Sequence, residues 1–114
     1  MADEVTSVQD VFAEMPNRFN AAAAAGLDAV YQYELSGDDG GTWHVAIKGG
    51  EIEGGVVNEG GHDSPNITIS MTASDFLDMI NGKLNPQMAF MGGKLKIKGD
   101  MSLAMKMQQI FPTT

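Results

Sequence analysis

Apolar residues recur along this chain at two periods, and the switches between them outline its elements. Val8, Val11, Phe12, Met15 and Phe19 fall three or four apart, the spacing of one helix face. Ser7 and Asp10 stand where a capping box opens a helix, and Pro16 inside the pattern predicts its end or a kink. The alanines at 21–25 continue as helix until Gly26 breaks it. The period then drops to two. Tyr31, Tyr33 and Leu35 share one strand face. Trp43, Val45 and Ile47 share another, with Thr42, His44 and Lys48 opposite. Residues 51–57 make a weaker strand, diluted by Gly54 and Gly55, and Ile67, Ile69 and Met71 alternate with Asn66, Thr68 and Ser70. Such strands keep one sheet face dry and the other wet. Gly49-Gly50 marks a two-residue hairpin, and residues 36–41 a longer polar turn.

Helical spacing returns with Thr72 and Asp75 as a second capping box, followed by Ala73, Phe76, Leu77 and Ile80. Asn85-Pro86 opens a short third helix to Met91, stopped by Gly92-Gly93. Residues 94–98 predict a fifth strand, with Leu95 and Ile97 inward and Lys94, Lys96 and Lys98 outward. Asp100 caps a last helix that runs to about Phe111. The order is helix, four strands, helices, strand, helix. It predicts a single α+β domain over residues 1–114: a five-stranded, mostly antiparallel sheet with helices covering one face.

The C-terminal helices carry more apolar surface than one packed face requires. In the last helix Met101, Ala104 and Met105 form one stripe, and Leu103, Met107, Ile110 and Phe111 form a second. Met88, Ala89, Phe90 and Met91 run consecutively, so they point around the circumference of theirs. This surplus must meet a tightly packed core, a second subunit or a ligand. Methionine suits the last, because its unbranched thioether adapts to irregular contents.

Charge coincides with this region. The chain has a net charge of −8, which argues against nucleic-acid binding. Residues 83–114 nevertheless carry five lysines and one acidic residue, and seven of the nine methionines lie at or after position 71. The lysines at 94, 96 and 98 read as a solvated edge strand that deters pairing, or as a patch for an anionic membrane surface, a phospholipid headgroup or a coenzyme A phosphate.

Little points to catalysis, a cofactor or a metal. Cysteine is absent, so disulfides and thiolate sites are excluded. His44 and His62 fall in no catalytic spacing. Glu59, His62 and Asp63 read as a solvated loop ahead of a metal site. The glycine pairs lack the context of a phosphate loop. Trp43 and the two tyrosines read as core ahead of a stacking platform, with hydroxyls that need partners. No apolar run reaches the ~18 residues of a membrane span. The acidic N-terminus resembles no signal peptide, and Pro112-Thr113-Thr114 is no peroxisomal address. A cytoplasmic protein is expected.

One segment brings the pattern close to a known family. Gly82-Lys83-Leu84-Asn85-Pro86-Gln87-Met88-Ala89-Phe90-Met91-Gly92-Gly93-Lys94-Leu95-Lys96-Ile97-Lys98-Gly99-Asp100-Met101, with Leu103-Ala104-Met105-Lys106 after it, resembles the sterol carrier protein 2 (sterol transfer) family. The order of elements, Gly41-Thr42-Trp43, Asn66-Ile67-Thr68-Ile69-Ser70-Met71 and Asp75-Phe76 extend the likeness over about residues 7–111. The resemblance implies an apolar tunnel between sheet and helices. It implies non-catalytic binding and transfer of a fatty acid, fatty acyl-CoA, phospholipid or sterol-like ligand by a stand-alone domain. The implied lining is Phe76, Ile80, Met88, Phe90, Met91, Met101, Leu103, Met105, Ile110 and Phe111. On this reading Met105 is buried, and Met105→Asp costs several kcal/mol.

Transient contact with an anionic membrane, and a monomer or weak dimer, complete the expectation. The alternatives are a structural or dimerisation module using the last helix without lipid cargo, and an acyl-CoA thioesterase, supported only by the lysine cluster.

Overall fold

The Ser7 hydroxyl accepts a hydrogen bond from the Asp10 amide (3.2 Å) and so starts α1 (Val8–Glu14), which buries Val8, Val11 and Phe12. The structure, a computed structural model, describes residues 7–38, 40–55 and 57–111. At Pro16 the chain tightens into a 3₁₀ turn (Met15–Arg18) and leaves extended at Phe19. Residues 21–26 form turns, not the helix expected. Five alanines between this turn and Gly26 are too few to repay helix nucleation, although Ala24 itself is fully buried.

The sheet is built around β1 (Ala29–Ser36). β2 (Gly41–Lys48) pairs with it antiparallel, setting Tyr31 opposite Val45 and Tyr33 opposite Trp43. The expected strand over 51–57 is instead two short pieces on the far edge of β2. These are β3 (Glu51–Ile52) and β4 (Asn58–Glu59), separated by a 3₁₀ turn (Glu53–Gly55) in which Gly54 takes φ 73°. Val56 lies outside the described residues.

On the other side of β1, β5 (Ile67–Thr72) runs parallel to it, and β6 (Lys96–Gly99) closes that edge antiparallel to β5. The described sheet therefore has six strands in the order β3-β2-β1-β5-β6, with β4 also on β2. Its pairings are antiparallel except the central one, and the sheet is mixed. The parallel pair arises because the chain leaves β4 and crosses the wet face of β1 to reach β5. Gln32 on that face is buried by the crossing. Its Oε1 accepts from the His62 amide (2.8 Å) and its Nε2 donates to Glu34 (2.9 Å).

Each later helix starts on a side-chain cap. Thr72 opens α2 (Ala73–Ile80), Asn85 opens α3 (Pro86–Met91) and Asp100 opens α4 (Met101–Ile110). The predicted fifth strand begins two residues later than expected. The amides of Lys94 and Leu95 both donate to the Ala89 carbonyl (2.9 and 3.1 Å), so these residues finish the exit from α3. Only Lys96 and Lys98 stand on β6, exposed and opposite Ser70 and Thr68. Gly99 makes the sharp passage into α4 with φ 111°. A Cβ there would run into the Asn66 carbonyl oxygen.

The apolar sheet face packs under the helices. Phe12 stacks between Trp43 (4.7 Å between centroids) and Phe76 (5.4 Å) and touches Tyr33 (5.3 Å). Among the described residues, no helix is long and apolar enough to cross a membrane.

Candidate functional site

The strand register sets Tyr33, Ile69 and Ile97 in one row across β1, β5 and β6, because Tyr33 faces Ile69 and Ile69 faces Ile97. This row is the floor of a cavity of about 300 Å³. Phe76, Met79 and Ile80 of α2 form one wall. Pro86, Gln87, Phe90 and Met91 of α3 form another, and Met101, Ala104, Met105 and Met107 of α4 a third. Met15, Leu95 and Phe111 complete it. The volume lies at the lower end of the ~300–1,000 Å³ usual for small-molecule pockets.

α4 divides the surplus seen in its sequence. Leu103, Ala104 and Ile110 are buried against the sheet, whereas Met101 and Met105 face outward, 47 and 75 % exposed. α3 does the same: Ala89 is buried, while Met88, Phe90 and Met91 are exposed, Met91 at 84 %. Every large hydrophobic exposed among the described residues lies on these two helices. Four of the five belong to the cavity wall, so the cavity opens between α3 and α4 through an apolar rim.

Of the ten residues expected to line a tunnel, seven stand on this wall: Phe76, Ile80, Phe90, Met91, Met101, Met105 and Phe111. Met88, Leu103 and Ile110 do not. Met88 is largely exposed and off the wall. Leu103 and Ile110 lie on the sheet-facing stripe of α4, where close packing leaves no space for a ligand. The Leu103 carbonyl there accepts from the Tyr31 hydroxyl (3.0 Å), and that of Ile110 from the Asn20 amide (2.7 Å). Met105 is not buried as expected, which removes the reason for a large cost of Met105→Asp. Sequence reasoning missed the floor. Tyr33, Ile69 and Ile97 were legible as inward strand positions, but nothing in their alternation separates a residue beneath a cavity from one beneath a helix.

Among the described residues, none on the wall carries a charge. The polar side chains on the wall are Tyr33 and the exposed Gln87. The Tyr33 hydroxyl donates to the Met107 sulfur (3.1 Å). Burial, with Tyr31 adding a smaller effect, pushes its pKa well above the ordinary tyrosine value. Burial also pushes Tyr31 up to about 12, helped by the negative charge of Asp100.

The wet sheet face holds the two histidines. His44 Nδ1 lies 2.7 Å from the Gly60 carbonyl, and the rings meet edge-on at 5.4 Å. Glu59, His62 and Asp63 are exposed. Among the described residues no three His, Asp or Glu side chains converge as a metal site requires.

A helical layer over one face of a mixed sheet, with an uncharged cavity open on one side, defines a small α+β domain built to enclose an apolar guest. The chain belongs to the SCP-2 sterol transfer family, whose model matches residues 10–112. Hydroxysteroid dehydrogenase-like protein 2 of Bos taurus is 42 % identical over 106 residues, covering 91 % of this chain and 24 % of that protein. The chain thus spans about a quarter of the length of the curated relatives it matches. Among solved structures, palmitated SCP2L2 from Aedes aegypti superposes with a TM-score of 0.72 at 23 % identity, covering 94 % of this chain and 96 % of that one. A double mutant of the sec-alkyl sulfatase PisA1 reaches 0.81 at 15 % identity over 96 % of this chain, but only 17 % of its own length. These two likenesses concern the fold alone.

Proposed function

We propose that this chain binds a single apolar lipid chain in the cavity between its sheet and α3–α4, without catalysis, and releases it at membranes. The supporting observation is the uncharged wall that opens through an exposed rim of methionine and phenylalanine. An aliphatic chain fits such a wall, while an ionised head stays outside, because a buried unpaired charge costs too much. The palmitate carried by the Aedes aegypti relative is of this class. Fatty acid, fatty acyl-CoA, phospholipid and sterol-like ligands share the need for an apolar sleeve, and methionine lets one wall adapt to several.

Displacement of a fluorescent fatty acid from the purified protein, with native mass spectrometry of the complex, tests the reading. Micromolar displacement and a one-to-one adduct are expected, and neither appearing would overturn it. The rim also supports contact with an anionic bilayer, since the exposed Lys94 and Lys106 follow Met91 and Met105 closely in the chain. Sedimentation with phosphatidylserine vesicles should weaken with salt and with Lys106→Glu, whereas equal binding to phosphatidylcholine vesicles would exclude the charge contribution.

The same rim favours a second reading, a dimer in which it covers its own copy. A sedimentation coefficient independent of concentration would count against that.

A further inference from the structure

Two tyrosines stand two residues apart on the same face of β1, both fully buried, and their hydroxyls are treated differently. That of Tyr31 donates to a backbone carbonyl, a strong acceptor, 3.0 Å away at Leu103. That of Tyr33 donates, among the described residues, to the thioether sulfur of Met107, a weak acceptor. Tyr33 and Met107 are both cavity residues, and Met107 is half-buried on a side chain with three rotatable bonds. The ring of Tyr33 is held between Phe12 (5.3 Å) and Phe76 (5.8 Å), so its hydroxyl is fixed before any ligand arrives.

We infer that the Tyr33 hydroxyl is the polar anchor of the cavity interior, that a lipid oxygen takes the place of the Met107 sulfur on it, and that it selects lipids bearing an uncharged oxygen acceptor at the buried end, such as an alcohol, a ketone or an ester carbonyl. This rests on the carrier reading and deepens it. The acceptor must be uncharged because no wall residue among those described carries a cation to pair with a carboxylate. A ligand oxygen offers Tyr33 a better acceptor than sulfur does, and the displaced Met107 side chain can turn within the cavity. Burial keeps the hydroxyl protonated at neutral pH, so it is a donor throughout.

The test compares wild type with Tyr33→Phe, which keeps the ring and removes the hydroxyl. Dodecanol, dodecane and dodecanoate each displace the fluorescent fatty acid, whose own affinity is measured for both proteins. Tyr33→Phe should weaken dodecanol about five- to tenfold, the size of one neutral hydrogen bond, and leave dodecane and dodecanoate within about twofold. The Tyr33 Cζ resonance should shift on adding dodecanol to wild type and stay in place with dodecane, a signature that a purely structural role would not give. Undiminished dodecanol binding, or equal weakening of dodecanol and dodecane, would overturn the inference while leaving the carrier reading intact. Weakening of dodecanoate as large as that of dodecanol would overturn the restriction to uncharged oxygens. If no ligand displaces the probe from wild type, the carrier reading fails and this inference with it.

Discussion

Phe76 and Met105 both line the cavity, yet the fold depends on them very differently. Phe76 is 1 % exposed and stacks on Phe12, so Phe76→Ala leaves a void under α2. Urea unfolding should show a loss of about 3–5 kcal/mol. Met105 is three-quarters exposed on the rim. Met105→Asp should change stability by no more than about 0.5 kcal/mol while weakening fatty acid binding several-fold, because it sets a charge where the aliphatic chain enters. A large loss of stability in that variant would show that α4 packs more deeply than it does here. Both residues are apolar at helical spacing, and only the positions of α2 and α4 against the sheet tell them apart.

Among the elements, α4 is the one whose placement makes the cavity, and its start depends on Asp100. The carboxylate accepts from the Ser102 hydroxyl (2.6 Å) and the Ser102 amide (2.9 Å). These bonds, the hydroxyl's first, with a smaller effect of the nearby Leu103 amide, hold its pKa below the ordinary value of 3.8. A lowered folded-state value means that this contribution is complete above 3.8 and is lost as pH falls through the lower folded value. Protection of the α4 amides against exchange, taken relative to the intrinsic rate at each pH, should therefore fall at acid pH, and fall at neutral pH in Asp100→Ala. Asp100→Asn keeps an acceptor without the charge, so its α4 exchange should lack the acid step. An acid step that persists in Asp100→Asn would assign it to another group.

The whole molecule responds at the alkaline end through both of its tyrosines. Burial raises Tyr31 from 10 to about 12 and Tyr33 further. The folded chain keeps protons that the unfolded chain releases. This contribution is therefore complete below pH 10 and is lost as pH rises from there through about 12. Tyrosinate absorbance should rise in one step together with loss of helical circular dichroism, and not as a free titration near 10. Phenolate appearing while the helices persist would show that solvent reaches the cavity floor.

Much of this molecule could be read from local pattern. The caps at Ser7, Thr72, Asn85 and Asp100, the inward faces of β1, β2 and β5, and the surplus on α3 and α4 all follow from residues a few positions apart. Local pattern failed where neighbours decided. Residues 21–26 were too short to nucleate a helix. Gly54 split one edge strand into two, and the central pairing became parallel because the chain crossed the sheet over Gln32. The sequence by itself determined that apolar side chains exceed what one packed layer can bury, since hydrophobicity and periodicity are properties of single segments. Only the tertiary structure decided which of them pack and which stand open. Leu103 and Met105 are two residues apart on one helix, and the angle at which that helix meets the sheet seals the first and leaves the second at the rim. The same long-range placement set Tyr33 beneath a space where its neighbour Tyr31 lies beneath a carbonyl.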